Sequence, residues 1–591
     1  MNTVEKQFND LRYQTGCYYT VERNKQIILY LLKKYGINQV VVSPGATNFA
    51  LVGSMQHDSF FQMFSCVDER AAAYMAIGIA EKSGNPVVLS CTGATASRNY
   101  MAALTYAYKR NLPILVITSS LSLSSVGHLK AQVTDREHSP VDMIWRSYQF
   151  DNIKDSEDEW RVNVKCNEAI TQLLLYKKPV HINVCTTYSL NFSVKELPQA
   201  KYIPTYTSES KLPPLPNVSI CVFIGSHKKF SNELIVALEK FCDSHNAIVL
   251  CDHTSGYNGK YRVNMALPFG QDYYCSRNRK VELLIHLGEI SGDYYSFLIL
   301  PQKVWRISTD GAYSDFFKKL TAVFKMDEVD FFNRYASIPR QEHPYYDSCL
   351  AESQYIYNKR PEVPFSNIWI ADFLHDRLPD KSQLHLGILN TLRSWDFFRV
   401  SEGIESKSNV GGFGIDGCVS SLIGAAMASP EKIFIGIVGD LTFYYDSNIL
   451  LNNNLPNNFR LIVINNGRGV EFRNYTHPAS ISFGKAVEPY IAAAGHFGNQ
   501  TNSAICELCK HSDIEYATAS NKEEFERLVD SLTCTNISKA IVVEAFTDPL
   551  DESVSLQKYK RCAGGNIVLY KLKNRAIYLA SGILKLTRKL I

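Results

Sequence analysis

Over its first 190 residues the chain alternates between two hydrophobic periods. "NKQIILYLLKKYG" spaces its apolar side chains for one face of a helix and ends on Gly36, the residue type that helix C-termini favour. "INQVVVS" follows as an unbroken apolar run that stops at "PGATN". "ERAAAYMAIGIAEKSG" predicts a second helix closed by Gly84, "NPVVLSC" a strand, "TGATASRNYMAALTYAYKR" a turn and helix, and "LPILVIT" a further strand. Strands that are apolar on both faces and separated by helices predict a parallel sheet covered on either side.

A linker carrying Pro198, Pro204, Pro213, Pro214 and Pro216 ends this block. A second α/β series follows: "VSICVFIGS", "NELIVALEKFCDSH", "AIVLCD", "VELLIHLGE" and "KVWRIST". Its "VFIGSHKK" holds one glycine where a dinucleotide fingerprint needs three, so this block reads as a structural domain. A polar stretch, "RQEHPYYDSCLAESQYIYNKRPEVP", precedes a third series from Phe365. The expected organisation is therefore three doubly wound, parallel-sheet α/β domains, 1–190, 191–350 and 351–550, followed by a tail at 551–591. Identity between the outer two domains is too faint to read as a repeat.

Composition adds exclusions. A net charge of +4 over 591 residues provides no field for nucleic acid. The 15 cysteines are dispersed, unlike a disulfide scaffold, and "MNTVEKQFNDLRYQTG" lacks a signal peptide's apolar core. The expectation is a cytoplasmic protein with reduced thiols. "CELCKH", with Cys506, Cys509 and His511, lacks a second thiol pair and reads as a helical segment and not a zinc site. The tail carries Lys571, Lys573, Arg575, Lys585, Arg588 and Lys589 around Leu579, Ile583, Leu586 and Leu590. That pattern predicts a basic amphipathic helix, docked on its own protein or on an anionic membrane surface.

The chemistry concentrates where two strands end. "IFIGIVGD" stops at Gly439-Asp440, and "FRLIVINN" stops at Asn465-Asn466 after an intervening helix. One βαβ unit would set Asp440 and Asn466 at the carboxyl ends of parallel strands, where open α/β sheets bind ligands. A carboxylate, an amide oxygen and a loop carbonyl are hard donors suited to Mg²⁺; Asx-turn chemistry explains the same residues without a metal.

These residues resemble the signature of thiamine-diphosphate-dependent enzymes. The resemblance implies that Asp440, Asn466 and the main-chain oxygen of Arg468 hold Mg²⁺ on the cofactor diphosphate, with Gly439 and Leu441 beside it. "SPGATN", "VDERAAAYMAIGIA" and "CTGATASRN" resemble, in order and spacing, the family's pyrimidine-binding domain, placing Gly45 and Gly93 at the cofactor and Glu69 at N1′ of the aminopyrimidine. A carboxyl group in that role sits in an apolar pocket and shares a proton; the plainer reading is a surface acid at a helix N-terminus. By the same likeness the three domains are pyrimidine-binding, central Rossmann-like and diphosphate-binding.

Within the family, "GFGIDG", "GDLTFYYDSN" and "LGILNTLRSWD" resemble elements of the SEPHCHC synthases, carboligases of menaquinone synthesis. They place Ile415 under the bent cofactor and Arg393 at the substrate. "VGHLKAQVTD" resembles the loop of acetolactate-synthase-like members, giving Gln132 a catalytic place, with Lys130 and His128 beside the substrate or in solvent. The synthase pattern has arginines where this chain has Thr47, Leu121 and Val410, so the likeness covers scaffold and cofactor but not acceptor recognition. The implied function is a thiamine-diphosphate- and Mg²⁺-dependent carboligase. It would decarboxylate a 2-oxo acid and pass the enamine to an acceptor, as a homodimer or homotetramer. An acetolactate-type enzyme, a simple 2-oxo acid decarboxylase and a non-catalytic scaffold are the alternatives.

Overall fold

The computed structural model describes residues 18–134, 138–495, 504–536 and 538–564. The tail helix expected from Lys571 lies outside them. Three six-stranded parallel sheets with flanking helices make up the fold, as the alternating pattern predicts.

The first sheet holds β1 (Gln39–Val42), β2 (Gln62–Ser65), β3 (Val87–Thr92), β4 (Ile114–Ser120), β5 (Arg146–Phe150) and β6 (Val180–Cys185), in the order β2-β1-β3-β4-β6-β5. The apolar strands divide their side chains between two cores. Val40, Val88, Leu115 and Ile182 pack with the helices Arg23–Lys34 and Ser156–Tyr176. Val41, Leu89 and Val116 pack with the helices Glu69–Ser83 and Met101–Arg110 on the other face. Side chains alternate across a strand, so a continuous apolar run supplies both faces at once. Gly84 caps its helix with φ +70°, as its position predicts. Gly36 lies one residue beyond the Tyr35 cap, at φ +72°.

The middle sheet contains β7 (Thr205–Thr207), β8 (Ile220–Ile224), β9 (Ala247–Cys251), β10 (Lys280–Leu287), β11 (Leu300–Ile307) and β12 (Leu320–Lys325), in the order β7-β12-β11-β10-β8-β9. The third has β13 (Gln383–Leu386), β14 (Glu405–Lys407), β15 (Phe434–Gly439), β16 (Phe459–Asn465), β17 (Glu515–Ala519) and β18 (Ile541–Phe546), in the order β14-β13-β15-β16-β18-β17. Counted within each sheet, the first and third share the order 2-1-3-4-6-5. Sequence identity conceals this repeat because burial fixes only that each strand be apolar.

Two compact units divide the chain. The first joins 1–211 to 309–325, and the second joins 212–308 to 326–591. The segment 309–325, which carries β12, thus belongs to the first unit. Within the first unit, β12 pairs with β7 in parallel, Val323 opposite Thr205.

Candidate active site

In the first unit the loops after β1 and β3 meet where the strand order reverses, between neighbouring strands whose connections leave in opposite directions. Such a crevice is the expected ligand position of an open α/β sheet. Gly45 is required there: a Cβ on it would lie 1.9 Å from Thr92 Cγ2. Gly93 is buried, and its amide donates to Ser119 O at 2.7 Å. Ala94, directly after it, holds φ +58°, a strained conformation for a residue with a side chain.

Glu69 is the first residue of its helix, behind the N-cap Asp68, whose side chain accepts from Ala71 N. It is half-buried. Its charge acts on the buried Tyr100 hydroxyl, which burial and nearby Cys91 already hold above the ordinary phenol range. The helix start thus lies within reach of the β3 end, with Asp68 and Arg70 on either side of Glu69 exposed. Gln132, at φ +61°, Lys130 and His128 occupy an exposed turn. Lys130 Nζ donates to Ser125 Oγ at 3.3 Å.

In the second unit β15 and β16 are adjacent and parallel, with Gly439 opposite Ile464. The βαβ reading holds, and Asp440 stands over the 466–468 loop. Asp440 opens the helix Asp440–Asp446 and is buried. Burial lifts its carboxyl to about 6, against the downward pull of the Leu441, Gly467 and Arg468 amides.

The two asparagines have separate tasks. Asn465 Nδ2 donates to Glu544 Oε1 at 2.6 Å, while its Oδ1 accepts from Gly467 N at 3.1 Å. Asn465 therefore braces the loop. Asn466 Oδ1 is buried with no hydrogen-bond partner among the described residues. An amide oxygen left in that state has a cost that a cation would relieve. The Arg468 carbonyl accepts from Val470 N at 2.9 Å and keeps its other lone pair. One carboxylate and two neutral oxygens form a hard donor set that can hold a divalent cation. No group of three or more His, Cys, Asp or Glu residues able to hold a metal occurs among the described residues.

Gly439 has no atom within 4 Å of the position its Cβ would take, so the space over the diphosphate-type loop is open. Leu441 packs toward Gly469, whose Cβ position is 3.5 Å from Leu441 Cδ1. The "GFGIDG" loop keeps Ile415 half-buried, and Phe413 in it adopts φ +55°. The Tyr294 ring links that loop to Arg393: it meets Phe413 edge-on at 5.8 Å and lies 4.2 Å from the Arg393 guanidinium. Arg393 is buried and paired to Glu471, with Nη1 3.1 and 2.9 Å from the two carboxylate oxygens. Leu389, before it, has φ +62° and repeats at the β13 end the strain that Ala94 shows after β3.

Three functional groups escape a reading of strand ends alone. Glu471 lies just three positions beyond Arg468, yet nothing in "GRGVEF" marks it as the partner of a residue 78 positions away. Glu544, fully buried on β18, fixes Asn465 and accepts from Tyr516 at 2.6 Å. Glu552 accepts from Thr547 Oγ1 at 2.8 Å and from Asn367 N at 3.1 Å, and burial raises it to about 7.

Residues 23–139 match the family model described as "Thiamine pyrophosphate enzyme, N-terminal TPP binding domain". This stretch of the chain is therefore similar to the cofactor-binding domain of thiamine-diphosphate-dependent enzymes. Curated proteins similar to the chain carry the name 2-succinyl-5-enolpyruvyl-6-hydroxy-3-cyclohexene-1-carboxylate synthase, the SEPHCHC synthases. That of Bacteroides thetaiotaomicron is 29% identical, covering 92% of this chain and 99% of the relative. That of Phocaeicola vulgatus is 27% identical over 92% and 98% of the two chains. That of Flavobacterium psychrophilum is 28% identical over 90% and 98%. The matched stretch includes Gly45, Glu69 and Gly93, and the likeness to a TPP-binding domain supports thiamine diphosphate as a cofactor.

Proposed function

We propose that the chain is a thiamine-diphosphate- and Mg²⁺-dependent carboligase that decarboxylates a 2-oxo acid and transfers the remaining fragment to an acceptor. The observation that carries this reading is the unpaired, buried Asn466 Oδ1 beside the buried carboxyl of Asp440. Asp440, Asn466 and the Arg468 carbonyl would hold Mg²⁺, and Gly439 and Leu441 would border the diphosphate. When bound, thiamine diphosphate supplies a carbon nucleophile for the oxo-acid carbonyl and takes up the electron pair released with CO₂. Glu69 holds and returns a proton at the aminopyrimidine, the task for which a half-buried acid at a helix start is suited. Gly45 and Gly93 admit the pyrimidine ring, Ile415 supports its bend, and Gln132 and Lys130 reach the substrate from their exposed turn.

The acceptor differs from that of the SEPHCHC synthases. Thr47 Oγ1 donates to Ser119 O at 2.6 Å, and Val410 is buried in an apolar core. Neither offers a cation to an acceptor carboxylate, and Glu471 already neutralises Arg393.

Tyr74, Met75 and Tyr106 in the first unit and Tyr445 and Leu451 in the second are exposed. A homodimer or homotetramer that covers some of these side chains is part of the proposal. No described helix is long and apolar enough to cross a membrane; the cytoplasm is the proposed location.

The test is a screen of 2-oxo acids for CO₂ release with thiamine diphosphate and Mg²⁺, with and without an aldehyde acceptor. Release that consumes acceptor supports a carboligase. Acceptor-independent release points to a simple decarboxylase, and no release with any acid points to a scaffold.

A further inference from the structure

The middle sheet has a cleft of its own. In the second unit, the carboxyl ends of β8 and β9 and the segment 400–407 enclose about 450 Å³. Carboxyl ends of parallel strands are where ligands enter such sheets, although this block lacks a glycine fingerprint for a dinucleotide.

Two arginines meet beside the cleft. Arg262, 4% exposed, donates Nη1 to Asn258 Oδ1 at 3.1 Å, and Arg399 donates Nη2 to the same oxygen at 3.3 Å. Arg262 Nε is buried with no hydrogen-bond partner among the described residues. Neither guanidinium forms an ion pair among those residues. Burial and the like charge of Arg262 push Arg399 below its ordinary range.

Of the acids nearby, Glu402 acts on Arg399 and Asp396 on Arg262 only through space, without an ion pair among the described residues, and the others are committed elsewhere. Glu405 takes Lys229 at 2.5 Å, and Glu239 accepts from Tyr257 Oη and Lys260 N. Asp252 is filled by donors from Thr254, Ser255, Ser291 and Gly292. A buried and a half-buried guanidinium that share one amide oxygen retain strong donors with no carboxylate bonded to them among the described residues, and guanidinium groups bind planar or tetrahedral oxyanions in a two-pronged way. Phe230, Tyr257 and Ile404 provide an apolar wall to the same cleft. Convergent polar and charged groups facing an apolar wall in a recess of this volume match a small-molecule site.

We propose that this cleft binds a small organic oxyanion, its phosphate or carboxylate held by Arg262 and Arg399 and its body lying against Phe230, Tyr257 and Ile404. The site is separate from the thiamine half-sites and does not depend on their reading.

Calorimetric titration of inorganic phosphate, adenosine monophosphate and succinate into the full chain, preloaded with thiamine diphosphate and Mg²⁺, tests it. At least one of the three is expected to bind at one site per chain, the phosphate or carboxylate arm identifying the anion. Arg262→Gln and the less buried Arg399→Gln should each weaken that binding by about tenfold or more. Absence of binding by all three, or unchanged affinity in an Arg399→Gln chain with unaltered circular dichroism, overturns the proposal.

Discussion

Arg393 and Glu471 form an ion pair at the carboxyl edge of the third sheet, one guanidinium nitrogen donating to both carboxylate oxygens and both side chains mostly buried. Asn474 Nδ2 supports it from 3.3 Å, and Tyr294 covers the guanidinium. A cation expected at the substrate is thus held by the protein's own carboxylate. Glu471→Ala should destabilise the chain by about 3 kcal/mol, since it strands a buried charge, whereas Arg393→Leu with Glu471→Leu should cost less than that single change. Denaturant unfolding of the three proteins checks this; equal losses would mean that the pair is not coupled.

Glu69→Gln keeps the size and one acceptor of the side chain and removes its proton chemistry. Turnover should fall by about 10² to 10⁴ while thiamine diphosphate still binds. Calorimetric cofactor binding beside CO₂ release separates the two effects, and retained turnover would remove Glu69 from its role.

Asn466→Ala deletes the one buried amide oxygen at the loop that lacks a partner. Its apo stability should change little, because no bond to that oxygen is lost, while the Mg²⁺ needed for half-maximal cofactor binding should rise by about 10-fold or more. Asn465→Ala should do the opposite first: it removes the brace to Glu544 and Gly467 and lowers the stability of the apo chain by about 1–3 kcal/mol. Magnesium titrations and melting curves of the two variants distinguish a ligand from a brace.

Glu552 gives the apo chain a pH dependence. Its folded carboxyl is raised from the ordinary 4.5 to about 7, so its contribution to stability is complete below pH 4.5 and is lost as pH rises to 7. Above that window the ionised, buried group costs up to about 3 kcal/mol. Glu552→Gln should therefore flatten the decline of the unfolding midpoint between pH 5 and 8. An unchanged slope would show that Glu552 does not titrate there.

Much of the fold is readable in order along the chain. The strands Val87–Thr92, Ile114–Ser120, Phe434–Gly439 and Phe459–Asn465 are apolar on both faces, and only a doubly covered parallel sheet buries such runs. Short or mixed strands such as Gln62–Ser65 and Glu405–Lys407 do not announce themselves, because an edge strand needs few apolar side chains. The association of 309–325 with the N-terminal unit is equally silent, being set by a parallel pairing with Thr205–Thr207 more than a hundred positions earlier.

The sequence by itself determined where oxygen donors fall: Asp440 at one strand end, Asn465 and Asn466 at the next, and Glu69 at a helix start. Periodicity and local caps dictate those places. Only the tertiary structure decided what each does. Successive side chains of an extended segment leave in opposite directions, so one asparagine reaches Glu544 and the other is left with an unpaired oxygen. The neutralisation of Arg393 by Glu471 and the meeting of Arg262 with Arg399 join residues 78 and 137 positions apart. Such pairings depend on how sheets and loops pack, and no local pattern of hydrophobic and polar residues encodes them.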